Sequence, residues 1–468
     1  MSKTRSSRAA ATTRPAALRS PSPSSARQSP RRSPSASRAR TCCSAAPGFS
    51  ASGNCREGGR VRGWDAIVVG AGPAGSTTAL LLARTGVRVL LLDRARFPRH
   101  KACSEYLSPA TTAVLERLGA GVLEQVEGAA HAKLYGMKVV APDGTAMCGR
   151  FTSGHGHAPP RPYSFALSRA AFDSILLRAA QREGAVVHQG VAVEDLLWDG
   201  GTVAGVVVRS GDGQRATRNA SIVVGADGLH SVIARRLGLV RTSPPRRVAF
   251  TAHVADVAGV DGVGELHVGA DGYVGLGPIG GGVTTVALVV PLARVQRRAR
   301  DFRADFFTEL ERYPGLAGRF DRRRMVREVL ATGPFAQWSR RPVADGALLV
   351  GDAADFFDPF TGQGIYAALR GAELAADSLI PRLTGGADAP ISATTLEPYV
   401  RARRREFAGK WALERLIGVG VGWPALTNRV VSRLARRPDL ADLVVGATGN
   451  FVPAHRVLAP GVLARLLL

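Results

Sequence analysis

Lysine is nearly missing from this chain: five residues, within a Lys+Arg total of 62. So heavy a preference for arginine looks like GC-rich coding bias rather than a designed basic surface. The formal net charge of +25 therefore says little about partners. Aromatics make up only 6% of the chain. No basic platform interleaved with aromatics and no reading helix stands out, so nucleic acid is not an expected partner. Cysteines are few: Cys42, Cys43, Cys55, Cys103 and Cys148. Their spacing matches neither a zinc site nor a disulfide framework, which leaves no expected metal and fits a reduced, cytoplasmic setting. Long apolar runs are lacking too. Residues 66–83 carry no charge but are broken by glycine, and residues 272–293 are uncharged but hold six glycines and two prolines. Neither reads as a membrane span, and no apolar core of a secretory signal is present.

What is present begins with length and a core. A chain of 468 residues, 45% apolar, is long enough for two intimately joined lobes. Residues 1–62 are set apart. They contain twelve Arg, one Lys and one Glu, 13 − 1 = +12, nearly half of the total charge. This Ser/Pro/Ala/Arg-rich stretch cannot bury enough apolar surface to offset ordering entropy and is expected to be disordered. Three readings fit it: an extension without function, a start codon placed upstream of the true one near Val61, or an organelle transit peptide.

The most informative stretch is residues 64–93, WDAIVVGAGPAGSTTALLLARTGVRVLLLD. An apolar strand over 66–69 runs into Gly70-Ala71-Gly72-Pro73-Ala74-Gly75, a G-x-G-x-x-G turn. An Ala/Leu-rich helix follows, and a second strand over 87–92 ends at Asp93. This order builds a nucleotide site from backbone. Gly70 permits the tight turn, Gly72 lets the chain approach a pyrophosphate, and Gly75 lets helix and strand pack closely. The helix N-terminus points N–H groups at phosphate, and Asp93 suits ribose hydroxyls.

Further on, Ser108 and Pro109 suit the start of a helix over 110–118, and Ser168 that of a helix over 169–183. Strands are expected at 133–140, 145–151, 186–188, 191–197, 202–208 and 221–224. The last meets Gly225-Ala226-Asp227-Gly228. Residues 248–289 are β-rich. Gly275-Leu276-Gly277-Pro278-Ile279-Gly280 formally matches the dinucleotide pattern again, but β-branched residues follow it, so it reads as a hairpin. A buried strand over 347–350 leads into Gly351-Asp352, then Asp358-Pro359 and Gly362-Gln363-Gly364-Ile365, then a helix to about 379. From Trp411 on, the chain is apolar and basic, with helical pieces broken by glycine and proline.

Taken in this order, the Gly70 turn with Asp93, the Asp227-Gly228 segment and the Gly351–Ile365 region resemble the FAD-dependent class A monooxygenases and their relatives, the geranylgeranyl reductases. The likeness covers about residues 64–379. It implies an α/β fold: a Rossmann-like three-layer FAD-binding domain assembled from 63–126, 165–240 and 341–385, with an antiparallel-sheet substrate domain from 127–164 and 241–340, and a helical region at 386–468. It assigns FAD to Gly70, Gly72, Pro73, Ala74, Gly75, Asp93, Asp227, Gly228, Asp352, Pro359, Gly362, Gly364 and Ile365. Arg169 matches a position that contacts FAD in relatives; a solvated arginine at a helix start is the other reading. Asp352 suits a ribityl hydroxyl or the loop itself, since a carboxylate repels diphosphate. A helix cap is its structural alternative. The helix opening near Gly364 suits the flavin edge that becomes anionic on reduction.

NAD(P)H is the implied co-substrate, binding transiently in a cleft without a fold of its own, and the implied reaction is hydroxylation of an apolar or aromatic small molecule. Cys103, in Lys101-Ala102-Cys103-Ser104-Glu105, resembles the Cys-Gly-Gly segment of the reductases, but Ser104, Glu105 and Tyr106 stand where glycines are expected. It is a weak catalytic candidate. Lys101 would favour its thiolate and Glu105 oppose it. The reductases' Tyr-x-Trp-x-Phe-Pro motif is degraded at 273–278, and the halogenases' Trp-x-Trp-x-Ile-Pro signature is absent. Reduction of a prenyl or polyketide double bond is the alternative chemistry. Outside enzymes, the alternatives are a flavin-binding protein without turnover and a membrane-surface protein that uses its C-terminal region. Nothing in the sequence bears on oligomeric state.

Overall fold

The computed structural model describes residues 63–297, 302–385 and 391–467, together with the backbone of a two-residue strand pair, Arg56–Glu57 with Arg60–Val61. The remainder of the expected 1–62 extension lies outside the described residues. The apolar run after Trp64 forms the strand Trp64–Val69. Its side chains alternate between two buried faces: Ala66 and Val68 join one core, Ile67 and Val69 another. A strand buried on both sides has no polar face, which is why it reads as an unbroken apolar run. It pairs in parallel with Val89–Asp93 and with Arg215–Gly225, and the parallel part is completed by Val186–Gln189 and Ala347–Leu349.

The helices Pro73–Ala83, Arg169–Arg182 and Gly364–Thr384 cover one face of this sheet. The antiparallel strands Ala192–Asp199 and Thr202–Arg209, with the short helix Val232–Arg236, supply the third layer. The strand expected at 221–224 is the buried end of Arg215–Gly225. Its first half alternates exposed polar residues and pairs antiparallel with Thr202–Arg209, so no apolar run marks it.

A second sheet has seven strands in the order Met325–Thr332, Arg247–Ala255, Val283–Pro291, Tyr273–Gly280, Gly264–Val268, Gly136–Val140, Ala146–Arg150. It is antiparallel except where Gly264–Val268 runs parallel to Gly136–Val140. The second formal glycine pattern lies on Tyr273–Gly280 and turns back into Val283–Pro291, a hairpin with a bulge. Ser108 begins the helix Pro109–Leu118 but does not cap it; its hydroxyl meets the Thr111 hydroxyl at 3.1 Å and accepts from Asn450 Nδ2 at 3.0 Å. The C-terminal helical region starts earlier than its glycines suggest. Glu397–Gly420 is one helix running through Gly409 and Gly418. After it come Pro424–Ala435, Pro438–Thr448, Ala454–Val457 and Pro460–Leu467. Proline opens three of these, where its missing N–H costs nothing. They pack on the edge of the second sheet through Val139 and Met147.

That sheet carries a buried ion cluster. Glu265 accepts from Arg319 Nη1 and Nη2 at 2.8 and 2.9 Å and lies 2.8 Å from His267 Nε2. Burial pushes its carboxyl up, but the hydrogen bonds from His267 and Arg319 outweigh this and hold it at about 2. An acid depressed in the folded state stabilises above its unfolded value and loses that contribution as pH falls. Urea stability is therefore expected to drop by about 3 kcal/mol between about pH 5 and 2 from this group. Glu265→Gln should be less stable at neutral pH and flatter across that window.

Candidate active site

The first glycine turn is forced by backbone contact. Gly70 has φ +98°, and a Cβ on it would stand 2.5 Å from the Ala226 carbonyl oxygen. A Cβ on Gly75 would stand 1.7 Å from the Gly70 carbonyl oxygen. The Asp93 carboxylate ties the turn down, accepting from Ala71 N at 2.7 Å and Ala95 N at 2.8 Å. Gly72 opens the helix Pro73–Ala83 with no side-chain cap and no acid in the first turn. That leaves an uncapped, positively polarised helix end.

Two guanidinium groups stand beside it. A Cβ on Gly72 would lie 3.6 Å from Arg99 Nη2 and 3.8 Å from Arg169 Nη2. Arg169 is buried, so the solvated reading is excluded; its Nε and Nη2 donate to Asp173 at 2.7 and 2.8 Å. Arg99 Nη1 shares the same carboxylate at 3.0 Å. Two cations on one fully buried anion leave one positive charge beside the turn, which suits a diphosphate.

The second and third bends close on the first. Gly351, at φ +59°, would place a Cβ 2.9 Å from the Ala74 Cβ. Lys101 Nζ lies 3.9 Å from Asp352 Oδ2 and would be 3.3 Å from a Cβ on Gly228. Burial lowers the Lys101 pKa and raises that of Asp352. Asp352 caps no helix. One cleft is lined by Gly72, Pro73 and Ala74 from the first bend, by Gly228 from the second, and by Asp352, Pro359, Gly362, Gly364 and Ile365 from the third, with Cys103 and Arg169 beside them. Gly70, Gly75, Asp93 and Asp227 do not line it. The first three shape the turn. Asp227 instead accepts from Val232 N at 2.6 Å at the start of the short helix, and burial pushes its carboxyl up.

The helix Gly364–Thr384 also opens toward the cleft without a side-chain cap or an acid in its first turn. Gln363 before it donates through Nε2 to Ala447 O at 3.2 Å, while its Oε1 is buried without a protein partner in the cleft wall. Asp358 holds this loop. It accepts from Phe360 N at 3.0 Å, Tyr273 Oη at 2.6 Å and Arg247 Nη1 at 2.6 Å, and Arg247 Nη2 donates to Gly418 O at 2.7 Å.

Several functional groups escaped the sequence reading. Glu105 has φ +60°, the left-handed region that favours glycine. That explains why a glycine is expected there in the reductases and what holds a glutamate instead. Its buried carboxylate accepts from Arg169 N at 2.8 Å and from the Thr285 hydroxyl, and lies 2.6 Å from His253 Nε2. It is turned toward the second sheet, and Arg169 and Arg327, not Lys101, are the cations that act on Cys103.

On Glu397–Gly420, Arg403 and Trp411 Nε1 donate to Asp355, the latter at 3.0 Å, and Glu414 accepts from the Thr361 hydroxyl at 3.3 Å. Arg403, Phe407, Lys410, Trp411 and Glu414 all line the cleft. Their three- and four-residue spacing was the available signal. Burial, then Asp355, pushes the Glu414 carboxyl up to about 8. Arg169 and Asp173 show the same spacing.

Uncapped helix ends, shielded cations and the buried acceptor of Gln363 before the helix Gly364–Thr384 fit a long, doubly charged dinucleotide. A three-layer α/β domain whose glycine bends converge in this way defines a dinucleotide-dependent oxidoreductase of the flavoprotein class. The chain belongs to the FAD binding domain family, whose model matches residues 64–410. It is an FAD-dependent oxidoreductase of the superfamily that includes the class A monooxygenases and the geranylgeranyl reductases.

Among its relatives is the 1H-pyrrole-2-carbonyl-[peptidyl-carrier protein] chlorinase of Pseudomonas fluorescens, 27% identical over 366 residues, 72% of this chain and 80% of that protein. The digeranylgeranylglycerophospholipid reductase of Methanothrix thermoacetophila is 30% identical over 331 residues, 69% of this chain and 79% of that one. The solved myxobacterial chondrochloren halogenase superposes with a TM-score of 0.68 at 25% identity, covering 76% of this chain and 83% of that one.

Arg99→Ala is expected to weaken FAD binding roughly tenfold, the loss of about one charge-assisted contact, in a fluorescence titration of the apoprotein. Glu414 gives a second test. The unfolded chain releases its proton near 4.5, whereas the folded chain keeps it to about 8. Stability should therefore fall as pH rises between these values, and Glu414→Gln should remove that slope in urea titrations.

Proposed function

We propose that this flavoenzyme takes electrons from NAD(P)H and hydroxylates an apolar substrate whose body lies between the second sheet and the C-terminal helices. The observation that carries this reading is a second cavity of about 260 Å³. Met137, Val139, Met147 and Val268 form its sheet wall, and Leu413, Ile417, Val431 and Leu434 its helix wall. Tyr106 and Leu266 line both this cavity and the dinucleotide cleft, so the two spaces adjoin.

FAD, when bound, supplies the electron transfer and the activation of oxygen. The chain supplies the setting. Arg99 and Arg169 would compensate the diphosphate, the uncapped helix at Gly364 would lend its positive end to the flavin edge, and the aliphatic walls would exclude water from the reacting centre. Glu414, protonated at neutral pH on the cleft wall, is placed to give up a proton there. NAD(P)H would enter the same cleft beside Gly228 and Lys101.

Reduction of a carbon–carbon double bond is the second reading. The same aliphatic walls suit a prenyl chain, and one relative bears the name of a digeranylgeranylglycerophospholipid reductase. The test is NAD(P)H oxidation by the FAD-loaded protein with an isoprenoid alcohol or a phenolic polyketide. Hydroxylation predicts uptake of one oxygen molecule per nicotinamide and a product heavier by one oxygen atom. A product heavier by two hydrogens, formed equally well under argon, would replace it with the reductase reading.

A further inference from the structure

We infer that the mouth of the aliphatic cavity is a lipid-docking surface, through which a hydrocarbon chain passes from an anionic bilayer toward the flavin cleft. This rests on the proposed apolar substrate and names where that substrate is met. Four large apolar side chains stand exposed on the C-terminal helices: Leu416 (49%), Val419 (60%), Trp423 (62%) and Leu467 (41%). Leu416 and Leu467 also line the cavity, so wall and rim are continuous. Val419 and Trp423 extend that rim outward from the same helix end and the turn after it.

The segment that carries the rim is net positive. Over residues 416–467 the chain carries six exposed arginines and only two acids, 6 − 2 = +4. Both acids are engaged: Asp439 with Arg437 at 3.3 Å, and Asp442 accepting from Arg150 N at 2.7 Å. A tryptophan and aliphatics exposed on an arginine-rich segment suit a headgroup boundary better than bulk water. Among the described residues no helix is long and apolar enough to cross a membrane, so contact would be by side-chain insertion.

The cavity walls argue against delivery on the arm of a carrier protein. A pantetheine arm carries two amides that need hydrogen-bond partners once buried. The wall's threonine hydroxyls are already spent on the protein itself, which leaves the buried Tyr106 hydroxyl, where cavity meets cleft, as the one wall hydroxyl without a partner among the described residues. Thr427 donates to Gly420 O at 3.0 Å, Thr448 to Val445 O at 2.9 Å, and Thr361 to Glu414. A plain hydrocarbon asks for none of these groups, and a bilayer is where such chains reside.

The experiment is co-sedimentation of the FAD-loaded full chain with vesicles of phosphatidylcholine and phosphatidylglycerol in equal parts. Wild type should sediment, less so as salt is raised. The double variant Val419→Ser/Trp423→Ser, both positions exposed and outside the cavity wall, should lower vesicle affinity roughly tenfold while retaining FAD and thermal stability. Trp198→Ser, exposed on the first domain, should leave binding unchanged. Wild type remaining in the supernatant, the double variant binding as well as wild type, or both proteins binding only an acidic carrier protein would each overturn the inference. Vesicle binding is read without turnover. If it holds while no hydrocarbon is transformed, the proposed reaction fails and the docking surface stands.

Discussion

A glycine pressed against a neighbouring segment with no room for a side chain of its own is the constraint on which the rest of this molecule depends. At Gly70 against Ala226, and at Gly351 against Ala74, a single added methyl group would stand closer than atoms can approach. These contacts bring together segments more than a hundred residues apart and fix which helix ends face the cleft. The domain is discontinuous for that reason. Each strand that ends beside the cleft must carry a bend tight enough to clear its neighbour, and the second sheet occupies the intervals between bends.

The electrostatics follow from the same geometry. Burying two helix N-termini beside a cleft concentrates positive potential, and the chain adds Arg99, Lys101 and Arg169 to it. Asp173 and Asp352 temper that charge without cancelling it. Asp358 performs a different task. One carboxylate gathers donors from the second sheet through Arg247 and Tyr273, and Arg247 reaches on to the C-terminal helix at Gly418. The loop before the helix Gly364–Thr384 is thereby held to both the second sheet and the C-terminal helix.

The glycine turn, its flanking strands and Asp93 were legible because their signal is local: an apolar run, a fixed glycine spacing and an acid at a strand end. The uncapped helix at Gly364 was legible for the same reason. The Arg99–Asp173–Arg169 group was not, because its members meet only after the chain has returned through the sheet. Glu105 was visible as a departure from an expected glycine, but its meaning lay in a left-handed backbone and in donors from His253 and Thr285, far along the chain. The expected influence of Lys101 on Cys103 came from sequence adjacency. In the fold, Lys101 turns toward Asp352, and Arg169 and Arg327 take its place. The cleft face of Glu397–Gly420 was obscured by the chain's general abundance of arginine, which hides a specific cation among many.

The inward turn of the wall hydroxyls has one further consequence. With Thr427 and Thr448 committed to backbone carbonyls of the C-terminal helices, the aliphatic chamber offers an occupant no fixed point short of the Tyr106 hydroxyl at its junction with the cleft. A chain inside it can slide like a rod in a greased sleeve. The carbon presented for reaction would then be chosen by how far the rod is pushed in, and so by the length of the molecule and by whatever halts its polar end at the rim.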